Sequence, residues 1–156
     1  MGLFSFLKSS GPKLLSKQEE ESIKNKPAEE ALNVRKEAIV RKIYDINQPV
    51  HNISVDINGE TVTVYGQADT QIAKELAILT AGNNEGISSV DDRMSVVKPE
   101  PESQFYEVKS GDTLSKIAKA QYGDAMEFNT IFEANKPMLK DPDKIYPGQV
   151  LRIPRR

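Results

Sequence analysis

The sequence of 156 residues contains no cysteine and a single histidine, His51. Without thiols the chain forms neither disulfides nor a thiolate metal site. One imidazole and no thiolate also argue against a zinc or copper centre, which requires several nitrogen or sulfur ligands. No serine or aspartate partner is fixed by spacing near His51, so we expect this histidine to be solvated or hydrogen-bonded structurally.

An excess of charge of one sign is also missing, as are long apolar runs. The 21 basic and 23 acidic residues give a net charge of −2. Such a balance provides no polybasic field for nucleic acid or anionic lipid. No apolar stretch approaches the roughly 20 residues of a membrane-spanning helix. The sequence therefore predicts no nucleic-acid partner and no stable membrane insertion.

The first residues lack the signals of export and lipidation. The apolar run that begins at Leu3 stops at Lys8, and no small-residue cleavage site of a secretory signal follows. Phe6 stands where a myristoylation motif requires serine or threonine. We therefore expect a cytoplasmic protein.

Residues 1–26 are predicted to form an N-terminal amphipathic helix and a charged connector. The helix, over residues 2–11, carries Leu3, Phe4, Phe6 and Leu7 on its apolar side and ends at Gly11-Pro12. We expect it to dock onto the next domain; a frayed tail or a weak membrane-surface anchor is the alternative. The charged segment 16–26 is either a second helix or a loose connector.

Residues 27–97 are predicted to form an α+β domain that begins with a helix and a hairpin. In the helix, Leu32, Ile39, Ile43 and Ile46 recur at helical spacing. Alternating apolar residues on both sides of Asn58-Gly59 predict a two-residue hairpin turn, with Val55 opposite Val62.

A second helix and a last strand complete this domain. Asp69 or Thr70 caps the helix, in which Ile72, Leu76 and Leu79 are predicted to share one side. The helix ends at Gly82-Asn83-Asn84, where positive φ angles are accessible. The resulting order is helix–strand–strand–helix–strand. The segments Val62–Gly66 and Gly86–Asp92 resemble the BON family, which implies the same αββαβ fold.

Residues 98–104 are a Pro/Glu linker, and residues 105–154 predict a small βααβ unit. A first strand leads through Gly111 to a helix capped by Asp112 or Thr113, a second helix ends near Asn135, and Val150, Leu151 and Ile153 form the last strand. The segment Ser110-Gly111-Asp112-Thr113-Leu114 and the segment Ile145-Tyr146-Pro147-Gly148-Gln149 resemble the LysM family, whose fold is the same.

No motif in the chain points to an enzyme. Gly111-Asp112-Thr113 is not a phosphate loop, because no glycine-rich run with lysine follows it. None of the 23 acidic residues forms a pair that the sequence isolates for catalysis. We therefore expect a non-enzymatic binding protein.

The LysM resemblance implies a shallow groove for N-acetylglucosamine. The residues that match it are Gly111, Asp112, Thr113, Asn135, Ile145 and Tyr146. The alternative, favoured for a cytoplasmic protein, is that the same residues have turn, cap and tight-return roles in the fold. A peptidoglycan-binding protein of the cell envelope is accordingly the alternative function.

The whole chain resembles the bacterial potassium-binding proteins of the BON–LysM family. Met1–Phe4, Gly82-Asn83 with Gly86-Ile87, and the run from Phe132 to Gln149 carry this resemblance. It implies that K⁺ binds main-chain carbonyls and that binding makes the protein more compact. The implied ligands are the carbonyls of Leu7, Ser10, Gly82, Asn84 and Ile87.

Residue chemistry gives this hypothesis some physical basis. The glycine stops at Gly11 and Gly82 mark two helix ends, each with unpaired carbonyls and a partial negative charge. Two ordinary helix caps satisfied by water are the alternative. We expect a monomeric K⁺ sensor, whose LysM could bind an unidentified protein partner. A membrane-surface adaptor is the third candidate function.

Overall fold

The computed structural model describes residues 3–7 and 11–155 and has the predicted α+β architecture. The elements of the first half, in chain order, are β1 (Leu3–Ser5), α1 (Lys17–Ile23), α2 (Ala28–Asp45), β2 (Val50–Asn58), β3 (Thr61–Thr70), α3 (Gln71–Gly82) and β4 (Ser89–Lys98). The second half contains β5 (Gln104–Glu107), α4 (Leu114–Tyr122), a single 3₁₀ turn (Ala125–Glu127), α5 (Phe128–Ala134) and β6 (Val150–Ile153). None of the helices in the described ranges has both the length and the apolar character needed to cross a membrane.

The first half is a four-stranded sheet covered by two helices. The strand order is β1-β4-β3-β2; β3 and β4 run parallel, connected through α3, and the other pairs are antiparallel. Ile39 and Ile43 of α2 and Ile78 of α3 are fully buried in one core with Val62 and Val64 of β3. Alternation along each strand thus gives the sheet one apolar face, which the helices cover.

The β2–β3 hairpin forms where predicted but with a different register. Its two-residue loop is Gly59-Glu60, and Val55 lies opposite Val64 instead of Val62, so the predicted register is wrong by two residues. Gly59 is the first loop residue and has φ +63°, which is the positive angle that such a loop requires. Because the displacement is even, the same side chains still face the core.

The N-terminal segment is a strand, so the amphipathic helix predicted for residues 2–11 is wrong over the described residues 3–7. Leu3, Phe4 and Ser5 pair with the outer edge of β4, and the N–H of Phe6 donates to the carbonyl of Ser88. A helix of about ten residues is marginal on its own, whereas an open sheet edge supplies unpaired N–H and C=O groups. Phe4 and Phe6, two residues apart, both turn inward.

Helix α3 ends at Gly82, but not for the predicted reason. Neither Gly82 nor Asn83 or Asn84 has a positive φ; Asn83 has φ −79°. A Cβ atom on Gly82 would lie within 2.1 Å of the Phe6 ring. Glycine is therefore required here by the close approach of the N-terminal segment and not by backbone conformation.

The second half follows its sequence prediction closely. The hydroxyl of Thr113 caps α4 by accepting from the N–H of Lys116, and Gly123 ends that helix with φ +80°. Strands β5 and β6 pair antiparallel over a small core that includes Ile117, Ile131 and Leu151. The predicted βααβ order is confirmed.

Gly82→Ala should destabilise the protein, because the added methyl group would overlap the Phe6 ring. Overpacking of this kind costs about 1–3 kcal/mol, which urea denaturation measures as a loss of unfolding free energy. In a Phe6→Ala background the same change should be neutral or slightly stabilising, since alanine has the better helix propensity. Equal destabilisation in both backgrounds would contradict the packing explanation.

Candidate functional site

Residues 82–88, from the last residue of α3 to the start of β4, form a tight loop that contains three of the predicted ligand residues. The carbonyl of Gly82 accepts from the N–H of Asn84 at 2.8 Å, and that of Asn84 accepts from the N–H of Ile87 at 3.3 Å. A carbonyl oxygen has two lone pairs, so each retains further acceptor capacity. The loop also lies at the carboxyl end of α3, which carries a partial negative charge.

Asn84 fixes the loop to the last turn of α3. Its side chain is 1% exposed, and its amide donates to the carbonyls of Thr80 at 2.8 Å and Ala81 at 2.9 Å. Two of the carbonyls that a helix end leaves unpaired are thus satisfied by a side chain. The alternative of a cap satisfied by water therefore does not apply to these two carbonyls.

Lys42 of α2 contacts the same asparagine. Its ammonium donates to Asn84 Oδ1 at 2.7 Å. Burial lowers the pKa of Lys42 below its ordinary value, and the neighbouring Arg41 lowers it further. The Lys42 amine lies beside the loop, at a helix end whose partial negative charge favours cations.

The N-terminal segment lies along this loop on both sides of the undescribed residues 8–10. Phe6 packs on Gly82 and bonds to Ser88. An added Cβ on Gly11 would be 3.3 Å from the main chain of Asn83 and Asn84, and the carbonyl of Pro12 accepts from the N–H of Glu85 at 2.9 Å. Leu7 directly follows Phe6, while Ser10 lies outside the described residues.

The residues implied by the LysM resemblance have structural partners. Asn135 is fully buried and bonds to the carbonyls of Ile131 and Arg152 and to the N–H of Arg152. Gly111 has φ +87° in the turn before α4, Thr113 caps that helix, and Ile145 packs against the small core. These contacts give four of the six residues a role in the fold.

The other two, Asp112 and Tyr146, have perturbed proton affinities. The Tyr106 hydroxyl and the Lys109 N–H donate to Asp112, and these bonds lower the pKa of Asp112. The same contact raises the pKa of Tyr106 to about 12. Burial alone raises the pKa of Tyr146 to about 12.

A cleft between the two halves of the chain, here called the joint cleft, encloses about 490 Å³. The first half contributes residues of α2, the end of α3 and Pro12, and the second half contributes residues 137–149, among them Tyr146. Of the six residues of the expected glycan groove, Tyr146 alone lines this cleft. Tyr146 therefore lines the joint cleft, whereas the Gly111–Thr113 turn does not.

Two polar contacts that the sequence did not indicate, together with apolar packing, hold the halves together. The side-chain amide of Asn83 pairs with the main chain of Val150 in β6, donating to its carbonyl and accepting from its N–H, both at 2.9 Å. Val150 belongs to the core of the first half, and the Phe4 and Phe105 rings meet edge to face at 5.2 Å. Asn83 therefore connects the 82–88 loop directly to the second half.

The second contact is a buried ion pair between Glu75 of α3 and Arg152 of β6. The side chains are 1% and 5% exposed, and Arg152 Nε lies 2.7 Å from Glu75 Oε1. Burial desolvates the Glu75 carboxylate, but bonds from Arg152, Gln71 and Ser103 outweigh this and lower its pKa. Glu75 lies within the apolar run of α3, and this unusual position is the signal in the sequence that could have indicated a buried ion pair.

Comparison with known proteins identifies both halves. A model of the BON domain matches residues 35–98, and a model of the LysM domain matches residues 106–154. The Potassium binding protein Kbp of Escherichia coli O6:H1 is 47% identical over 157 aligned residues, which cover 99% of each chain. An uncharacterised protein of Deinococcus radiodurans is 36% identical over 121 residues, covering 69% of this chain and 47% of that protein. The predicted BON and LysM resemblances are both confirmed.

Arg152→Met should destabilise the chain strongly, because it leaves the Glu75 carboxylate buried without its guanidinium. Breaking such a pair costs about 3–5 kcal/mol of unfolding free energy. Lys109→Met is the matched control, since it removes an exposed ion pair with Glu107, and should cost at most about 1 kcal/mol. Urea denaturation of both variants measures the difference, and equal losses would contradict a buried clamp.

Acidification should remove part of this stabilisation. The pKa of Glu75 is lowered in the folded state and is about 4.3 when unfolded. Its contribution is therefore fully present above pH ~4.3 and lost as the pH falls through the folded value. Glu75→Gln, which cannot titrate, should lose less unfolding free energy than the parent between about pH 5 and pH 3. If the unfolding free energies of the two proteins decrease equally over this pH range, the assignment to Glu75 is wrong.

Proposed function

The chain belongs to the BON–LysM family that includes the Potassium binding protein Kbp, and we propose that it binds K⁺ itself. The ligands in this proposal are the main-chain carbonyls of Leu7, Ser10, Gly82, Asn84 and Ile87. The protein acts by binding and performs no enzymatic reaction. Its expected location is the cytoplasm, which subcellular fractionation tests.

The contact between the N-terminal segment and the 82–88 loop is the observation that supports this function. Phe6 and Gly11 both touch the loop, and they bracket the chain from Leu7 to Ser10. The proposed ligands therefore come from two distant segments that meet at one loop. This arrangement fits K⁺ chemically, because hard cations take oxygen ligands and the carboxyl end of α3 favours positive charge.

Selectivity for K⁺ over Na⁺ depends on how firmly the carbonyls are held. A ring that is kept at the larger size, or that has the right number and field strength of carbonyls, favours the larger ion. Asn84 stiffens the loop through its hydrogen bonds to the last turn of α3, and Phe6 stiffens it by packing on Gly82. Their buried contacts resist the contraction that Na⁺ would need.

Compaction on binding follows if K⁺ prefers the arrangement in which the N-terminal segment and both domains are in contact. Asn83 provides a physical route, because it lies between two proposed ligand residues and pairs with Val150 of the LysM. Ordering the loop would then favour docking of the LysM.

A titration followed by NMR tests the proposed ligands one by one. KCl replaces NaCl at constant ionic strength, and we expect saturable shifts of the amides of Asn83, Glu85 and Ser88, which directly follow the carbonyls of Gly82, Asn84 and Ile87. The amides of Gly123 and Asp124, at the ordinary glycine cap of α4, are the internal control and should not move. Absence of K⁺-specific shifts, or the same shifts with Na⁺, would exclude this function.

Asn83→Ala should separate ion binding from compaction. Loss of the two bonds to Val150 weakens LysM docking but leaves the carbonyls of the loop in place. We expect K⁺-dependent amide shifts to persist while the K⁺-dependent decrease in hydrodynamic radius becomes smaller. Asn129→Ala, at an exposed asparagine of α5, is the control and should behave like the parent. A full decrease in the Asn83 variant would show that this contact does not transmit binding.

Peptidoglycan binding through the LysM remains the second candidate function. The match of the LysM model to residues 106–154 favours it, as does the exposure of Gly111 and Thr113. Pulldown on purified peptidoglycan tests it, with N-acetylglucosamine oligomers as competitors. Retention that the oligomers abolish would support this candidate, whereas binding to an unidentified protein partner would not be released by them.

A further inference from the structure

The joint cleft brings together unpaired positive charge from both domains. Lys42 lines it from α2, and Lys140 and Lys144 line it from the LysM. None of these three ammonium groups lies within ion-pair distance of a carboxylate in the described part of the chain. The partner of Lys42 is the neutral amide of Asn84. A partly buried ammonium without a counter-charge is suited to bind an anion.

Two buried side chains that line the same cleft have hydrogen-bonding capacity that the protein does not use. Thr80 is 8% exposed and Gln149 is 5% exposed. Neither Thr80 Oγ1 nor Gln149 Oε1 has a hydrogen-bond partner among the described residues. Buried polar atoms are nearly always bonded. One of the two comes from the BON domain and the other from the LysM, so a ligand that bonds to both would bridge the domains.

The lining specifies the chemistry of the ligand. Lysines act as point charges and suit phosphate, whereas planar carboxylates are best recognised by arginine, and no described arginine lines the cleft. Met138, Leu139 and Ile46 supply an apolar surface. Gln149 Oε1 and the carboxylates of Asp45 and Asp141, which also line the cleft, can accept hydrogen bonds from hydroxyl or amino groups of a ligand. The volume of about 490 Å³ falls in the usual range for small-molecule sites.

We propose that the joint cleft is a binding site for a small phosphate ester, of the size of a sugar phosphate or a nucleoside monophosphate. Lys42, Lys140 and Lys144 bind the phosphate, and Thr80 and Gln149 bind the polar groups of the ester's organic part. Because the walls come from both domains, the ligand stabilises the docked arrangement.

This site is coupled to the ion, a consequence that rests on the proposed K⁺ function. Lys42 contacts the side chain of Asn84, whose carbonyl is a proposed ligand, so a positive charge on Lys42 opposes K⁺ binding. A phosphate bound to Lys42 neutralises that charge and tightens K⁺ binding. By linkage, K⁺ tightens the phosphate ester by the same factor.

The test uses the full chain and four probes: AMP, glucose 6-phosphate, adenosine and inorganic phosphate. Amide shifts and calorimetry are recorded in NaCl and in KCl at constant ionic strength. We expect AMP or glucose 6-phosphate to shift the amides of Thr80, Met138 and Gln149 saturably. Adenosine and inorganic phosphate should bind at least about tenfold more weakly, since each lacks one half of the recognition.

Lys42→Gln, with Lys119→Gln as control, tests the role of the buried ammonium. Both variants lose one positive charge, but Lys119 lies on α4 and donates to the carbonyl of Gly123. Lys42→Gln should weaken the ester about tenfold or more and tighten K⁺ severalfold, while Lys119→Gln changes neither. Equal effects of the two variants would show a nonspecific attraction and overturn the site.

The remaining outcomes are also decisive. No shift at Thr80, Met138 and Gln149 with either ester at about 10 mM, tenfold above a Kd of about 1 mM, overturns the site. Inorganic phosphate that binds as tightly as the esters overturns the assignment of the ligand class. The K⁺ titration without any ester decides the proposed function separately. Ester binding with no K⁺ dependence overturns the coupling alone.

Discussion

The packing of the Phe6 ring on Gly82 is the constraint on which the candidate site depends. It brings a segment from the start of the chain against the end of α3, where only a residue without a side chain leaves room. The pairing of β1 with β4 adds main-chain bonds at the sheet edge. Two segments separated by about half the chain thereby lie side by side, which the proposed site of backbone oxygens would require.

The 82–88 loop is also the point at which the two domains are joined. The side-chain amide of Asn83 forms two hydrogen bonds with the main chain of Val150. The buried pair of Glu75 and Arg152 lies nearer the start of α3. Apolar burial contributes through Phe105 and Val150, which pack on the core of the first half. Such a joint is specific, because buried polar groups tolerate few alternative arrangements. The loop and β6 are therefore in direct contact, without any intervening element.

Local patterns in the sequence predicted most elements and the faces that they bury. Helical spacing predicted the burial of Ile39 and Ile43, strand alternation predicted that of Val62 and Val64, and Asp112 or Thr113 was predicted to begin α4. The hairpin register was wrong by two residues, yet the buried face was right, since side chains repeat every second residue along a strand. The N-terminal helix was wrong because Phe4 and Phe6 fit both periodicities, and the free edge of β4, which decides between them, is not a local feature.

The sequence by itself determined the α+β class, the two domain families and the loop at Gly82–Ile87, because each depends on residues that are neighbours in the chain. Tertiary structure decided what that loop touches: Phe6 and Gly11 on one side, Lys42 on another, and Val150 across the joint. It also decided that Glu75 and Arg152 form a buried pair and that Thr80 and Gln149 line one cleft. These contacts join residues far apart in sequence, and no local periodicity encodes which edges and helix ends will meet.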